Sequence, residues 1–418
     1  MTHGQNIAPA YDIAIVGGGM VGASLAVALQ PLGLKIALVE AVAFGSAAQP
    51  SFDERTTAIS NGSRRILETL GVWPGVSQSA TPIRKIHVSD QGRFGFARID
   101  AAEQGLAARG YVVPNRALGA ALWSRLQSSS AIRIICPAQV ARVTAGAHAV
   151  TLEVSAPDAE TRFDTRLVVA ADGASSAVRA AFGVDAQSRD YEQTAVITTV
   201  LPQKFHDGVA YERFTAGGPL ALLPLDGGRC TLVLTLSKDQ AQAAMEWSDA
   251  EFLAEVQRRF GFRLGRFLKV GRRMPYPLSL TRATRTSAER CVIVGNAAQG
   301  LHPVAGMGFN LGLRDVASLA ELIAEHRHEK TFDAGCAALL AQYDAWRASD
   351  RGGVIAFTDG LVRTFASPLG LVKGLRDLGL LAFDLLPPAK AALSRLSTGA
   401  GAGGRTRIPK LARGVALR

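Results

Sequence analysis

Residues 12–40 read DIAIVGGGMVGASLAVALQPLGLKIALVE, and the fold class follows from this stretch. Asp12–Val16 is a short β-branched run of the kind that forms a buried parallel strand. Gly17-Gly18-Gly19-Met20-Val21-Gly22 then fits the pattern G-x-G-x-x-G and opens a helix that continues through Ala23–Leu29. A second buried strand, Lys35–Val39, ends on Glu40. Strand, glycine turn, helix, strand and acid within about 30 residues make a βαβ unit. Gly17 permits the tight turn, Gly19 lets backbone approach a pyrophosphate, and Gly22 allows helix and strand to pack closely. The phosphates then face the helix amino terminus, at Met20 and Val21, where unbonded N–H groups and the helix dipole favour negative charge. Glu40 stands where an acid binds the ribose hydroxyls. The unit is therefore read as a dinucleotide site, with FAD and NAD both open at this point.

The rest of the composition bounds the problem. The chain has 418 residues, 48% hydrophobic and 19% charged, which suits two domains with substantial cores. Its four cysteines, Cys136, Cys230, Cys291 and Cys336, show neither metal-ligand nor CxxC spacing, so no disulfide framework or metal site is expected and a reducing, cytoplasmic setting is the default. Residues 1–11 carry no apolar signal segment. The most apolar stretches, 353–372 and 378–393, are interrupted by Asp359, Arg363, Asp384, Pro387 and Pro388, so no spanning helix is expected. A net charge of +11 favours anionic partners, but the cations are scattered, which argues against nucleic acid. An anionic lipid surface, an anionic cofactor and a merely solvated basic surface all fit that charge. Arg405, Arg407, Lys410, Arg413 and Arg418 follow a glycine-rich run at 399–404, so 398–418 is expected to be a mobile basic tail.

Further along, the pattern predicts helices over Ser63–Leu70, Asn115–Gln127 and Ala250–Arg259, and strands over Ile132–Ile135, Leu167–Ala171 and Cys291–Val294. Lys85–Ile99 is strand-rich around Gly92, and Ala195–Leu236 alternates β runs with turns, the sign of an antiparallel sheet. From Leu311 the chain reads as helical. A parallel-sheet domain interrupted by a β-rich insertion is the expected order.

Two more stretches narrow the reading. Ala170-Ala171-Asp172-Gly173-Ala174-Ser175-Ser176-Ala177-Val178-Arg179 resembles the DG motif of the class A flavoprotein aromatic hydroxylases. Gly295-Asn296-Ala297-Ala298, followed by His302-Pro303 and Gly306-Met307-Gly308-Phe309-Asn310, resembles their second FAD fingerprint. Within that group, residues 301–316, 110–116, 218–225 and 358–361 are similar to the ubiquinone-biosynthesis hydroxylases, most of all the 2-polyprenyl-6-methoxyphenol hydroxylase branch, over about residues 10–397. Asn296 and Met307 depart from the family pattern, which has Asp and Gln at these places.

The resemblance implies a p-hydroxybenzoate hydroxylase fold: an α/β, Rossmann-like FAD-binding domain (10–76, 107–185 and 280–350), an inserted, mainly antiparallel β-sheet substrate domain (77–106 and 186–279), and C-terminal helices (351–397). It implies FAD contacts from Arg55, Arg116 and Val140 beside those of Asp172, Gly173, Gly295, Asn296 and Pro303. Arginine suits phosphate because its donors act in pairs. Gly306 and Gly308 would let backbone approach the isoalloxazine, with Phe309 and Asn310 in the first turn of a helix whose N–H groups stabilise a reduced, anionic flavin. The implied activity is a monooxygenase in ubiquinone biosynthesis that hydroxylates a polyprenylated phenol. NAD(P)H would visit as reductant, since no second G-x-G-x-x-G exists, and O₂ would react as a flavin C4a-hydroperoxide. No side chain is assigned as catalytic, because the chemistry is the cofactor's. A prenylated substrate further implies peripheral contact with the inner membrane, or with a biosynthetic complex. A hydroxylase of a small soluble phenol and a non-catalytic FAD-containing scaffold are the competing readings.

Overall fold

The computed structural model describes residues 10–44, 46, 55–93, 95–157, 159–300, 306–366 and 407–418. Its first sheet is built around the opening βαβ unit. Strand Tyr11–Val16 lies between Ile36–Val39 and Ala159–Ala170, all parallel, and the sheet continues to Ile132–Ile135 on one side and Cys291–Ile293 on the other. The connecting helix α1 (Met20–Leu29) is buried along most of its length because its residues are nearly all apolar or small. Residue alternation gives the sheet two apolar faces. Ile13, Ile15 and Leu38 pack with α1 and the later helices, whereas Ala14, Val16 and Val39 pack against Val150, Leu152 and Val154. Those last three belong to an antiparallel hairpin, Gln139–Ala145 and Val150–Ala156, which is added to strand Ala159–Ala170.

Helix α2 (Asn61–Thr69) is capped by Ser60, whose hydroxyl accepts the Ser63 N–H, and α3 (Asn115–Gln127) follows directly on Pro114. Between them a small sheet joins Thr56–Ser60, Gly110–Pro114 and Thr81–Ile83. Helix α4 (Ala177–Ala181) is a single short turn after the Asp172-Gly173 corner.

The β-rich insertion forms a nine-stranded sheet. Its central strand, Ala186–Pro202, pairs with Met274–Ala283 and Cys230–Ser237, and the order continues through Gly218–Pro224 and Val209–Thr215 to Lys85–Asp90 and Phe96–Asp100. All of these pairings are antiparallel except Val209–Thr215 with Lys85–Asp90. The strand Ala186–Pro202 begins before Ala195, where the alternation of β runs starts in the sequence, and the sheet includes Met274–Ala283, which the sequence pattern did not single out. Helices α5 (Lys238–Glu246) and α6 (Asp249–Phe260, with a capping box from Ser248 and Glu251) cover one face.

Helix α7 (Met307–His326) returns to the first sheet, and α8 (Ala337–Ala366) packs beside it. The expected mobile tail is corrected over 407–418. Leu411 and Leu417 are buried in the main core, the Lys410 N–H donates to Glu321, Arg407 pairs with Glu321 and Glu325, and the Trp346 indole donates to the Arg407 carbonyl. These basic residues meet acids of α7 and apolar surface beside it. Most of the C-terminal helical segment expected at 351–397 lies outside the described residues, and no helix among the described residues is long and apolar enough to cross a membrane.

Candidate cofactor and active site

The carboxyl ends of the parallel strands Tyr11–Val16, Ile36–Val39 and Ala159–Ala170 converge on the glycine turn. Gly17 has φ +102°, a left-handed conformation that favours glycine, and its N–H donates to the Val39 carbonyl at 2.8 Å. A Cβ on Gly22 would stand 1.9 Å from the Gly17 carbonyl oxygen, so the third glycine is required by the first. Gly19 caps α1 without a side-chain hydrogen bond, and the first turn at Met20 and Val21 keeps its N–H groups at the open end of the helix. Glu40, 7% exposed, accepts the Gly18 N–H at 2.5 Å on one oxygen and the Val42 N–H at 2.8 Å on the other. Each carboxylate oxygen still has a lone pair for a ribose hydroxyl. The Glu40 carbonyl takes the Ala138 N–H at 2.8 Å, which sets Val140, half-buried against the second face of the sheet, two residues away.

The second and third motifs are brought to this turn. Gly173 has φ +88°, and a Cβ there would meet nothing within 4 Å among the described residues. The Asp172 carboxylate holds its own corner, accepting the Ser176 hydroxyl and the Val178 N–H, the latter at 3.1 Å. Arg179, which closes the Ala170–Arg179 stretch, ties the two motifs together by donating to the carbonyls of Ala174 and Ala297 at 3.0 and 2.8 Å. Gly295 has φ +59°, and a Cβ there would lie 3.1 Å from the Val21 side chain. A Cβ on Gly312 would lie 2.8 Å from the same side chain, so α1, the Gly295 turn and α7 meet at Val21. Asn296 is exposed between buried Gly295 and Ala297.

Helix α7 begins at a second uncapped amino terminus. Gly306 has φ +59° and would place a Cβ 2.9 Å from the Ala58 Cβ. A Cβ on Gly308 would meet nothing within 4 Å among the described residues, which leaves room over the backbone at the helix start. The Asn310 side chain is engaged by protein: its amide donates to the carbonyls of Ala58 and Gly306, and its oxygen accepts the Ser60 N–H. Any cofactor contact from Asn310 therefore falls to its backbone. Phe309 is half-buried against the core, and Met307 is buried with Leu311 and Val354, an apolar setting that accounts for a thioether where the family carries an amide. Arg55 and Arg116 come together because the Asn115 N–H donates to the Arg55 carbonyl at 2.9 Å. Arg116 is exposed in the first turn of α3, and the Arg55 guanidinium lies 5.4 Å from the Tyr276 ring centre. Pro303, with His302, lies outside the described residues.

The sequence reading missed the buried charges that fix this arrangement. Asp315 is 0% exposed; one oxygen accepts the Gly295 N–H at 3.2 Å and the Gln299 amide at 2.9 Å. The other accepts from Arg347 at 2.8 Å and Arg351 at 3.3 Å, both on α8. Asp350 bridges Arg314 and Arg347. Burial opposes ionisation of Asp315, but these guanidinium groups outweigh it and hold the carboxyl below the usual range. Two uncapped helix termini, a buried acid and space above Gly173 and Gly308 that no described residue fills fit a dinucleotide carrying a flat ring system.

Comparison with known proteins agrees. Residues 10–357 match the FAD binding domain family. The chain is 38% identical to the ubiquinone hydroxylase UbiL of Rhodospirillum rubrum, covering 97% of this chain and 93% of that one. It is 30% identical to the 3-demethoxyubiquinol 3-hydroxylase of Escherichia coli, covering 89% and 94%. Its fold is similar to that of p-nitrophenol 4-monooxygenase PnpA from Pseudomonas putida, with a TM-score of 0.77 at 18% identity over 94% of this chain and 98% of that one. The chain belongs to the FAD binding domain family and is an FAD-dependent aromatic-ring monooxygenase.

Proposed function

We propose that the protein hydroxylates the ring of a prenylated phenol in ubiquinone biosynthesis, with NAD(P)H as a visiting reductant and O₂ as co-substrate. The observation that carries this reading is the near full-length similarity to relatives named as ubiquinone and demethoxyubiquinol hydroxylases. Bound FAD supplies the electron transfer and oxygen activation. The turn at Gly17, Gly19 and Gly22 would hold its pyrophosphate, Glu40 its ribose, and Arg55 and Arg116 further polar groups of the cofactor. The Gly173 corner and the Gly295-Asn296 turn would support the chain between phosphate and ring. The N–H groups of α7 from Met307 to Phe309 would face the ring and stabilise negative charge on it. Apolar side chains of the two sheets would limit water at the bound ring.

The test is a panel of phenols with and without prenyl chains, incubated with FAD-loaded enzyme, NADH or NADPH, and ¹⁸O₂. Label in the ring of prenylated phenols is expected. Tight coupling to short phenols with none to prenylated ones would overturn the substrate assignment. Peripheral membrane contact belongs to the same proposal, since a prenylated phenol is dissolved in lipid. Flotation of the enzyme with anionic vesicles at low salt tests it, and recovery wholly in the unbound fraction counts against it.

A further inference from the structure

On the half-buried face of the inserted sheet stands the carboxyl group of Glu212, to which no sequence motif assigned a role. In strand Val209–Thr215, Tyr211 is buried with Leu220, Leu222 and Phe252 beneath α5 and α6. Ala210 points the other way, into a cluster with Ile83 and Val112 against which Ala58 packs. Glu212, two residues from Ala210, shares that second face. Across the sheet it stands opposite Val88 and Ala221; Ala221 stands opposite Val233, Val233 opposite Ile197, and Ile197 opposite Met274. All six side chains are half-buried, whereas residues of the opposite face, such as Leu222, Leu232 and Val196, are fully buried. This row is a partly open apolar floor with Glu212 as its single polar side chain.

The floor adjoins the cofactor site. Thr231, on the strand that carries Val233, hydrogen-bonds Thr56 at 2.9 Å. Arg55 lies over Tyr276, two residues beyond Met274. Two residues on from Thr56, Ala58 abuts Gly306 and receives the Asn310 amide at the start of α7. Among the described residues no cation or hydrogen-bond donor holds the Glu212 carboxyl, and burial alone pushes its pKa up to about 7. An acid in an apolar floor, without a structural partner, suits a ligand that is apolar apart from one hydroxyl.

We propose that Glu212 accepts a hydrogen bond from the phenolic hydroxyl of the substrate and takes its proton as the ring is attacked. The O–H bond breaks, its proton passes to a Glu212 carboxylate oxygen, and its electron pair stays on the phenol oxygen and flows into the ring. The proton transfer itself changes no oxidation state, and the electrons that the ring gives up go to the attacking oxygen that the monooxygenase reaction supplies. A free phenol has a pKa near 10, so transfer is uphill in the ground state. The hydroxyl becomes more acidic as the ring gives electrons to the attacking oxygen, which is the condition for general-base catalysis. The proton then leaves Glu212 to solvent when product departs. This assignment rests on the phenol hydroxylase reading above.

The experiment compares wild type with E212Q, both loaded with FAD, on a short-chain prenylated methoxyphenol and on its O-methyl ether. Flavin absorbance per protein and melting temperature establish that E212Q is folded and loaded; E212D is the second variant if it is not. Ring hydroxylation of the free phenol is expected to fall about a hundredfold or more in E212Q. The wild-type rate should rise through about pH 7 as the carboxylate forms, and that rise should vanish in E212Q. The ether, having no proton to give, should react equally slowly with both. E212Q within twofold of wild type on the phenol, with the same pH profile, overturns the role of Glu212 and leaves the hydroxylase reading intact. A wild-type enzyme that hydroxylates no phenol overturns that reading and this proposal with it.

Discussion

Replacing Asp315 by asparagine tests whether buried charge, rather than the glycine pattern alone, holds the cofactor turn. Asp315 receives four donors: the Gly295 N–H and Gln299 amide on one oxygen, Arg347 and Arg351 on the other. Whichever way an asparagine lies, its NH₂ group confronts two of them. The change also leaves Arg347, 2% exposed, with Asp350 as its remaining ion-pair partner among the described residues. Removing one member of a buried pair costs about 3–5 kcal/mol. Freeing the Gly295 N–H loses a bond to a charged acceptor, worth about 1.5–3 kcal/mol, which corresponds to roughly 10- to 100-fold weaker FAD binding if the turn loosens. The pH dependence has a definite sign. The folded Asp315 carboxyl lies below its ordinary value, so its stabilisation is complete above the unfolded pKa of about 4 and is lost as pH falls through the lower folded value. D315N should therefore lie closest to wild type in strong acid and furthest from it at neutral pH. Urea unfolding of the apoprotein between pH 3 and 8, together with flavin-fluorescence titration, measures both effects. A variant within about 1 kcal/mol of wild type at pH 7, with unchanged FAD affinity, would refute the reasoning.

Three further outcomes follow from the same geometry. G308L puts a side chain into the space above the start of α7 while improving helix propensity, so FAD affinity should fall at least about tenfold with apoprotein melting unchanged or raised; normal FAD loading would place the ring elsewhere. E40Q weakens a charge-assisted bond to the Gly18 N–H and to the ribose, and equilibrium dialysis should show FAD bound roughly 10- to 100-fold more weakly, whereas equal binding removes Glu40 from the site. Truncation of 407–418 exposes the pocket of Leu411 and Leu417 and leaves Glu321, 0% exposed, without Arg407 and the Lys410 N–H; a loss of about 5 kcal/mol or more is expected in unfolding, and wild-type stability would refute the packing.

That truncation also shows where sequence reading reaches its limit. Arg407 and Lys410 after a glycine-rich run have the composition of a solvated tail, and only the position of Glu321 and Glu325, more than 80 residues earlier, gives them acidic partners. Asp315, Arg347 and Arg351 pose the same problem: charges along α7 and α8 read as an exposed helix face until the helices are packed and the charges are seen to be buried against each other. The strand Met274–Ala283 was missed for a different reason. It carries Pro275 and Pro277 and much of it is exposed, so neither alternation nor a buried run marks it.

The glycines behave differently, and the difference is physical. Gly17 and Gly22 are legible because the backbone there requires the absence of an atom, a demand one residue meets wherever it occurs in sequence. Side chains that position a site by meeting a partner are legible only as pairs, and the partner's place is a property of the fold. Asn310 belongs to both groups: its spacing from Gly306 and Gly308 marked the right helix start, but its amide spans Ala58 and Ser60, some 250 residues away, where no spacing rule could place it. Glu212 is the extreme case, a single acid in an alternating strand whose neighbours across five other strands are all apolar. Its setting exists only once those strands are in register, which is why the chemistry of the substrate side has to be read from the sheet, whereas the cofactor side can be read from the chain.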